Sequence, residues 1–133
     1  MKDILIVGTG ALATLFAARL SQAGHSITML GSWKTGLEAL QKEGARLVDS
    51  NGNEHPFEVQ AISDPRKCRG IKHAIVLVKA WQTGHVAEQL IHCLAEDGLV
   101  LTLQNGLGNR ERLAQSLGMD RVGLGITTTG ATL

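Results

Sequence analysis

Aliphatic runs alternate with segments of helical periodicity along this chain. The first run, residues 4–7, predicts a strand, and the apolar positions after it keep the spacing of one helix face: Leu12, Leu15, Phe16 and Leu20. Gly24 predicts the end of that helix, and residues 25–30 predict a second strand. The opening of the chain therefore predicts a strand, a helix and a strand in succession.

The same alternation continues along the rest of the chain. A short helix at residues 37–43 ends at Gly44, and a hairpin at residues 46–61 turns at Asn51-Gly52, a dipeptide that suits a tight reversal. Further strands are predicted at 74–78, 99–103 and 121–126, and further helices at 82–95 and 109–117. Strands joined by helices form parallel sheets with right-handed crossovers. The predicted fold class is α/β, a Rossmann-type doubly wound, mainly parallel sheet, in one domain over residues 1–133.

A glycine-rich segment joins the first strand to the first helix. Gly8 permits the tight turn, Gly10 has no Cβ to block a pyrophosphate, and a small residue at position 13 lets the helix pack on the strand. A bound pyrophosphate would lie at the positive N-terminus of that helix. The alternative is a strand-turn-helix that needs its glycines only for packing. We predict a dinucleotide site formed by Gly8, Thr9, Gly10, Ala11, Leu12 and Ala13.

The end of the second predicted strand bears on the choice of cofactor. NAD sites usually place a carboxylate there to accept hydrogen bonds from the ribose, and this chain has none in the segment from Leu30 to Lys34. Ser32 can donate a hydrogen bond to a 2′-phosphate and Lys34 can supply a positive charge, although a lysine here also suits a solvated helix start. The sequence therefore favours NADP(H) over NAD, and FAD is disfavoured by the same missing acid.

Composition narrows the function classes. A net charge of +1 provides no broad basic face, which disfavours nucleic acid as a partner. No apolar run reaches the roughly 18 residues that a membrane span needs, so we expect a cytoplasmic protein with no membrane partner. Cys68 and Cys93 are too few for a disulfide framework and lack CxxC spacing, so both are expected to be reduced. His85 and His92 lie seven residues apart without a matching carboxylate set, so no metal site is predicted.

Three motifs together suggest a family. They are Lys79-Ala80-Trp81-Gln82 after one predicted strand, Asn105-Gly106-Leu107-Gly108 after the next, and Gly125-Ile126-Thr127-Thr128-Thr129 near the end. In this combination the chain resembles the N-terminal domain of the ketopantoate reductases over essentially all 133 residues. The resemblance implies NADPH-dependent reduction of 2-dehydropantoate, a 2-keto acid, to pantoate in the biosynthesis of pantothenate and coenzyme A.

The resemblance also implies roles for single residues. Lys79 would lie near the nicotinamide and the substrate, Asn105 would contact the cofactor and help to form the substrate site, and Ala131 would be a further cofactor contact. Hydride delivery to a ketone builds negative charge on the carbonyl oxygen, which a lysine or an amide donor stabilises, so Lys79 and Asn105 are the catalytic candidates. Many family members have an arginine at the position of Ser32, and Lys34 would have to compensate for its absence.

Family members carry a second, helical domain that supplies a general acid lysine. We therefore expect these 133 residues to be the cofactor-binding part of a two-domain enzyme, with little or no turnover alone. Apolar surface left open by a missing domain makes a homodimer plausible. Two alternatives remain open: another dehydrogenase of 2-keto acids or β-hydroxy acids, and a non-catalytic module that senses NADP(H).

Overall fold

The computed structural model describes residues 3–104, 108–127 and 131 of the chain. Its strands are β1 Asp3–Val7, β2 Ser26–Leu30, β3 Ala45–Val48, β4 Glu54–Phe57, β5 Gln60–Ile62, β6 Ile71–Val76, β7 Leu94–Thr102 and β8 Val122–Leu124. Its α-helices are α1 Ala11–Gln22, α2 Lys34–Glu43, α3 Thr83–Cys93 and α4 Asn109–Leu117. Short 3-10 turns lie at Pro65–Lys67, Ala80–Gln82 and Met119–Arg121.

Six strands form one sheet in the order β5-β2-β1-β6-β7-β8, and every neighbouring pair is parallel. The chain starts in the middle of the sheet at β1, adds β2 and β5 on one side, and then crosses to add β6, β7 and β8 on the other. The strand order therefore reverses between β1 and β6, the place where doubly wound sheets open a crevice for ligands. This arrangement confirms the predicted fold class.

The region predicted as a hairpin divides between two sheets. β3 and β4 pair antiparallel as a separate two-stranded sheet, as expected around Asn51-Gly52. Residues 60 and 61, predicted as part of the same hairpin arm, instead belong to β5, which pairs parallel with β2. Val59 and Ala61 are buried against α2 and its neighbours, so burying them draws the chain away from β4 and onto the main sheet.

Two apolar clusters lie on opposite faces of the main sheet. On one face, Val7, Val76 and Val100 pack with residues of α3 and α4. On the other face, Ile6 and Met29 pack with α1, α2 and β3. Each cluster consists of aliphatic side chains almost without aromatics, as the composition of the chain predicts.

The α-helices of the described segments are short, between 9 and 12 residues. Glycines mark several of their ends: Gly44 follows α2 at a φ of +76°, and Gly108 and Gly118 flank α4 at +86° and +94°. In the part of the chain that the structure describes, no helix has the length and apolar character needed to cross a bilayer.

Candidate functional site

The carboxyl ends of four neighbouring strands meet at one edge of the sheet. Backbone hydrogen bonds continue beyond the strands themselves: Gly8 donates to Leu30 O at 2.8 Å, Leu77 donates to Val7 O at 2.9 Å, and Leu103 donates to Val76 O at 3.1 Å. The loops after β2, β1, β6 and β7 therefore lie side by side, in that order. The residues predicted as functional in the described part of these loops therefore all follow strands at this one edge.

Gly8 lies where the loop after β1 crosses the loop after β6. Its φ is +133°, and a Cβ at this position would stand 3.0 Å from the Leu77 carbonyl oxygen and 3.4 Å from the Ala13 methyl group. Ala13 is itself fully buried at the start of α1. The predicted roles of Gly8 in the turn and of a small residue at position 13 in close packing both match this geometry.

Gly10 differs from Gly8 because a side chain at Gly10 would not clash with any described protein atom. A Cβ added there would meet nothing within 4 Å, and its φ of −78° suits any residue. Gly10 is the N-cap of α1, no side chain caps this helix end, and its first turn contains no acidic residue. The open space and the uncapped N–H groups fit a diphosphate, which would bind at the positive end of the helix dipole.

The loop after β2 stands next to the glycine loop. The Thr9 side chain packs on Gly31, where a Cβ would come within 2.6 Å of Thr9 Cγ2. Ser32 and Lys34 are both exposed, and Lys34 is the first residue of α2. A lysine charge and a helix N-terminus act in the same direction there, since both attract an anion.

Trp33, which lies between Ser32 and Lys34 in the sequence, packs against the backbone of α2. A Cβ at Gly36 would come within 2.3 Å of the Trp33 ring, so the glycine makes room for the indole to lie on the helix. The indole nevertheless remains half exposed, at 52%. An aromatic face is thus presented to solvent directly after Ser32.

Lys79 follows β6, and its position is set through its main chain. Its backbone N–H donates to Gln82 Oε1 at 3.1 Å, and its carbonyl accepts from the Gln82 N–H at 2.9 Å. The side chain is exposed. The loop is thereby fixed while the ammonium group stays free to reach a ligand at the edge of the sheet.

Gln104, at the end of β7, holds the loops after β6 and β7 together. Its side-chain amide donates to Val78 O at 3.0 Å and to Thr83 Oγ1 at 2.9 Å, and its Oε1 accepts from Thr102 Oγ1 at 2.9 Å. Gln104, Thr83 and Thr102 are all buried. Buried polar groups satisfied in this way make a local structure rigid, so the network fixes the backbone from which Lys79 projects.

No sequence pattern predicted this network. Thr83 Oγ1 extends it by donating to Asn109 Oδ1 at 3.0 Å, which links the first residues of α3 and α4. The signals present in the sequence were hydroxyl and amide residues at the carboxyl end of an aliphatic strand and at the first positions of two helices. Such residues are equally common as caps and surface groups, so pattern alone does not select them.

A groove of about 720 Å³ begins at the glycine loop and runs between α1, α2 and the β3–β4 hairpin. Thr9, Ala11 and Trp33 line it, and so does Ala131, which the chain brings back to the glycine loop. Ser32, Lys34 and Lys79 are not part of its lining. The predicted site residue Asn105 lies outside the residues that the structure describes.

Metal ligands do not cluster in the described ranges. Among those residues, no group of three or more His, Cys, Asp or Glu side chains is placed to hold a metal ion. His85 and His92 are exposed residues of α3.

Comparison with known proteins agrees with this geometry. A family model described as ketopantoate reductase PanE/ApbA matches residues 4–133. A 2-dehydropantoate 2-reductase from Archaeoglobus fulgidus is 36% identical over 133 residues, which is 100% of this chain and 42% of the relative. The chain thus spans less than half the length of that relative.

Solved structures show the same fold. A 2-dehydropantoate 2-reductase from Geobacter metallireducens GS-15 superposes with a TM-score of 0.78 at 30% identity, over 90% of this chain and 39% of that one. D-mandelate dehydrogenase, in a ternary structure with NADH and anilino(oxo)acetate, gives a TM-score of 0.89 at 22% identity, over 98% of this chain and 42% of that one. At that identity the second likeness concerns the fold alone. The family match over nearly the whole sequence confirms the resemblance: this chain belongs to the ketopantoate reductase PanE/ApbA family, a family of oxidoreductases.

Proposed function

We propose that this chain is the cofactor-binding part of an NADPH-dependent 2-dehydropantoate 2-reductase, which forms pantoate for pantothenate and coenzyme A synthesis. The observation that carries the proposal is the open space at Gly10 in front of the uncapped N-terminus of α1. Protein packing does not require a glycine there, whereas a diphosphate lying against the backbone does. Gly8, Thr9, Gly10, Ala11, Leu12 and Ala13 hold the diphosphate in this proposal, and Ala131, which also lines the groove, adds a contact.

The preference for NADPH over NADH rests on the loop after β2. Ser32 and Lys34 are exposed there, and in the described part of that loop no carboxylate stands where an NAD site would place one. A 2′-phosphate would gain a hydrogen bond from Ser32, the charge of Lys34 and the dipole of α2. Trp33 offers its exposed indole face to the adenine ring.

Lys79 has the chemistry for the reacting end of the site. Reduced nicotinamide, when bound, supplies a hydride to the carbonyl carbon of a 2-keto acid. The Lys79 ammonium stabilises the negative charge on the carbonyl oxygen or pairs with the substrate carboxylate, and the network around Gln104 keeps its backbone in place. Asn105, the residue after Gln104, is the second catalytic candidate in this proposal.

Calorimetric titration with NADPH and NADH in parallel tests the cofactor proposal. We expect NADPH to bind at least about tenfold more tightly, with an advantage that shrinks as salt rises, because a charged contact to phosphate is screened. Lys34→Ala should remove most of the preference, and Lys42→Ala, at the other end of α2, is the matched control. Binding of neither nucleotide would overturn the proposal, and equal binding would overturn the phosphate site.

Turnover tests the catalytic part. Because the chain spans 42% of the length of its Archaeoglobus relative, we propose that it reduces 2-dehydropantoate poorly or not at all by itself. Rapid turnover by the isolated 133 residues would contradict this. In a protein of the relatives' full length, Lys79→Ala should collapse turnover. If the chain were instead a nucleotide-sensing module, the same variant would leave its signalling intact.

We also propose that the protein is cytoplasmic and associates with itself there, through the sheet face that carries Leu99 and Leu101. A cavity of about 750 Å³ over β6, β7 and β8 is lined by the exposed Leu99 and Leu101 together with Arg110 and Asp120. An apolar patch bordered by both signs of charge is self-complementary across a twofold axis, so we propose a second copy as its occupant. Leu101→Lys should convert a dimer into a monomer in sedimentation, whereas a monomeric wild type at high concentration would contradict the dimer.

A further inference from the structure

Two buried thiols meet on the face of the sheet that α3 covers. Cys93 is the last residue of α3 and is fully buried, and Cys68 follows the turn Pro65–Lys67 with 8% of its surface exposed. The Cys68 Sγ lies 3.2 Å from the Cys93 Sγ, and the Cys93 thiol donates to the Pro65 carbonyl at 3.1 Å. Both cysteines are free.

The two sulfurs are already within reach of a covalent bond. A disulfide has a sulfur–sulfur distance of about 2.05 Å, so closing the pair requires an approach of roughly 1 Å. Other residues of the same apolar cluster surround the pair, among them Val86 and Leu90 of α3. We propose that Cys68 and Cys93 are a peroxide-sensitive dithiol that closes to an intramolecular disulfide and staples α3 to the turn before β6.

The surroundings assign the order of reaction. Cys68 is the more exposed of the two residues, and the hydrogen bond between the two sulfurs lowers the pKa of the Cys68 thiol. The same hydrogen bond, together with burial, raises the pKa of Cys93. Cys68 is therefore the thiolate that a small oxidant meets first, and Cys93 is the resolving thiol.

The chemistry balances with hydrogen peroxide as the oxidant. The Cys68 thiolate attacks one peroxide oxygen, the O–O bond breaks, and with one proton taken up the products are a Cys68 sulfenic acid and water. The Cys93 sulfur then attacks the Cys68 sulfur, the S–O bond breaks, and the hydroxyl leaves as a second water with the proton from Cys93. Two thiols are oxidised and one peroxide is reduced.

The staple would enclose β6, the Lys79 loop and α3 in a covalent ring, since Cys68 and Cys93 are 25 positions apart. Such a ring restricts the unfolded chain, so the oxidised protein resists unfolding more strongly. The bond forms at the C-terminal end of α3, and Lys79 lies beyond the other end of that helix. This inference does not depend on which nucleotide the chain binds.

Oxidation in the presence of a dione that traps sulfenic acids tests the proposal. Reduced wild-type chain is treated with hydrogen peroxide in native buffer and in urea, and products are identified by intact mass and by non-reducing peptide mapping. In native buffer we expect loss of two hydrogens, one peptide that joins Cys68 to Cys93, and a melting temperature raised by several degrees that returns on addition of dithiothreitol. In urea we expect the dione adduct to replace the disulfide, because the sulfurs are no longer adjacent.

Single variants check the assigned order. Cys93→Ser should accumulate the dione adduct at Cys68, and Cys68→Ser should leave Cys93 unreacted while the chain is folded. The proposal would be overturned if the native wild type gave mainly dione adduct, mainly disulfide between two chains, or no oxidation under conditions that oxidise it in urea. The wild-type comparison decides the question even if either variant fails to fold.

Discussion

The two halves of the main sheet are covered differently. In the half made of β5, β2 and β1, called here the closed half, helices or the hairpin lie on both faces, so Leu5 and Ile6 are both fully buried although they point in opposite directions. In the half made of β6, β7 and β8, called here the open half, the described residues cover one face and reach the other only at β6, where Ile75 is partly buried. There Val100 is 2% exposed while its neighbour Leu101 is 38% exposed.

Two strands with similar aliphatic sequences differ in how many of their faces are covered. The runs at residues 4–7 and 99–103 look alike in sequence, and either would suit a strand covered on both faces. The described structure buries both faces only in the first case. A continuous apolar run therefore predicts a strand, but by itself it does not tell whether both faces of that strand are covered.

Truncating one aliphatic side chain in each half should give the largest difference in the free energy of unfolding between the two halves. Ile6→Ala should cost about 2–5 kcal/mol in the free energy of unfolding, because a fully buried side chain leaves a cavity. Leu101→Ala, in the open half, should stay within about 1 kcal/mol. Denaturant unfolding at low protein concentration measures both. A large loss at Leu101 as well would mean that the open face is covered in solution, and a dependence on concentration would identify a second copy.

The next largest loss of stability is expected at Gly8, where the loop after β1 in the closed half meets the loop after β6 in the open half. Gly8→Ala should cost about 1–3 kcal/mol, because a φ of +133° is strained for alanine and its Cβ would approach the Leu77 carbonyl. Nucleotide binding should weaken with it. Gly24→Ala is the matched control: its φ is +99°, but its Cβ would meet nothing within 4 Å. Equal losses in the two variants would show that the contact with Leu77 does not matter.

The polar network that braces the open half should give a smaller effect on stability. Thr83→Val keeps the shape of the side chain but leaves the Gln104 amide and Asn109 Oδ1 with one partner fewer, and we expect a loss of about 1–2 kcal/mol. Thr28→Val, which removes an exposed 3.3 Å hydrogen bond to Gln60 in the closed half, should change stability little. Thermal unfolding of both variants tests this, and equal small changes would contradict a structural role for the network.

The smallest effect on stability is expected when a change of pH titrates Asp49 in the β3–β4 hairpin of the closed half. The hydrogen bond with His55, and those from the Asn53 and Asn51 backbones, hold the pKa of Asp49 below its usual value of 3.8. A depressed folded-state pKa contributes stability above the unfolded value, and this contribution is lost as pH falls through the folded value. The acid-induced loss should therefore begin as pH falls toward that usual value, continue below it, and be weaker in Asp49→Asn, as unfolding followed from neutral to acid pH would show. Asp97→Asn, an exposed partner of Lys72, should leave the profile as in wild type.

Much of the candidate site was predictable because its signals are local. A strand that breaks into Gly8 and Gly10 and continues as a helix fixes the loop geometry within a few residues, and the structure matches it. The prediction of a hairpin at residues 46–61 is confirmed for β3 and β4 but wrong for β5. Turn chemistry at Asn51-Gly52 is local, whereas the departure of β5 toward β2 depends on burial of Val59 and Ala61 against distant helices.

The sequence by itself determined the alternation of strands and helices, the glycine loop and the family, because each is written in residue types at fixed short spacings. Only the tertiary structure decided which aliphatic faces are covered, that Gln104 joins two loops, and that Cys68 and Cys93 touch. Those contacts join residues about 25 positions apart. Their existence depends on how parallel strands are ordered and packed, which no local pattern specifies.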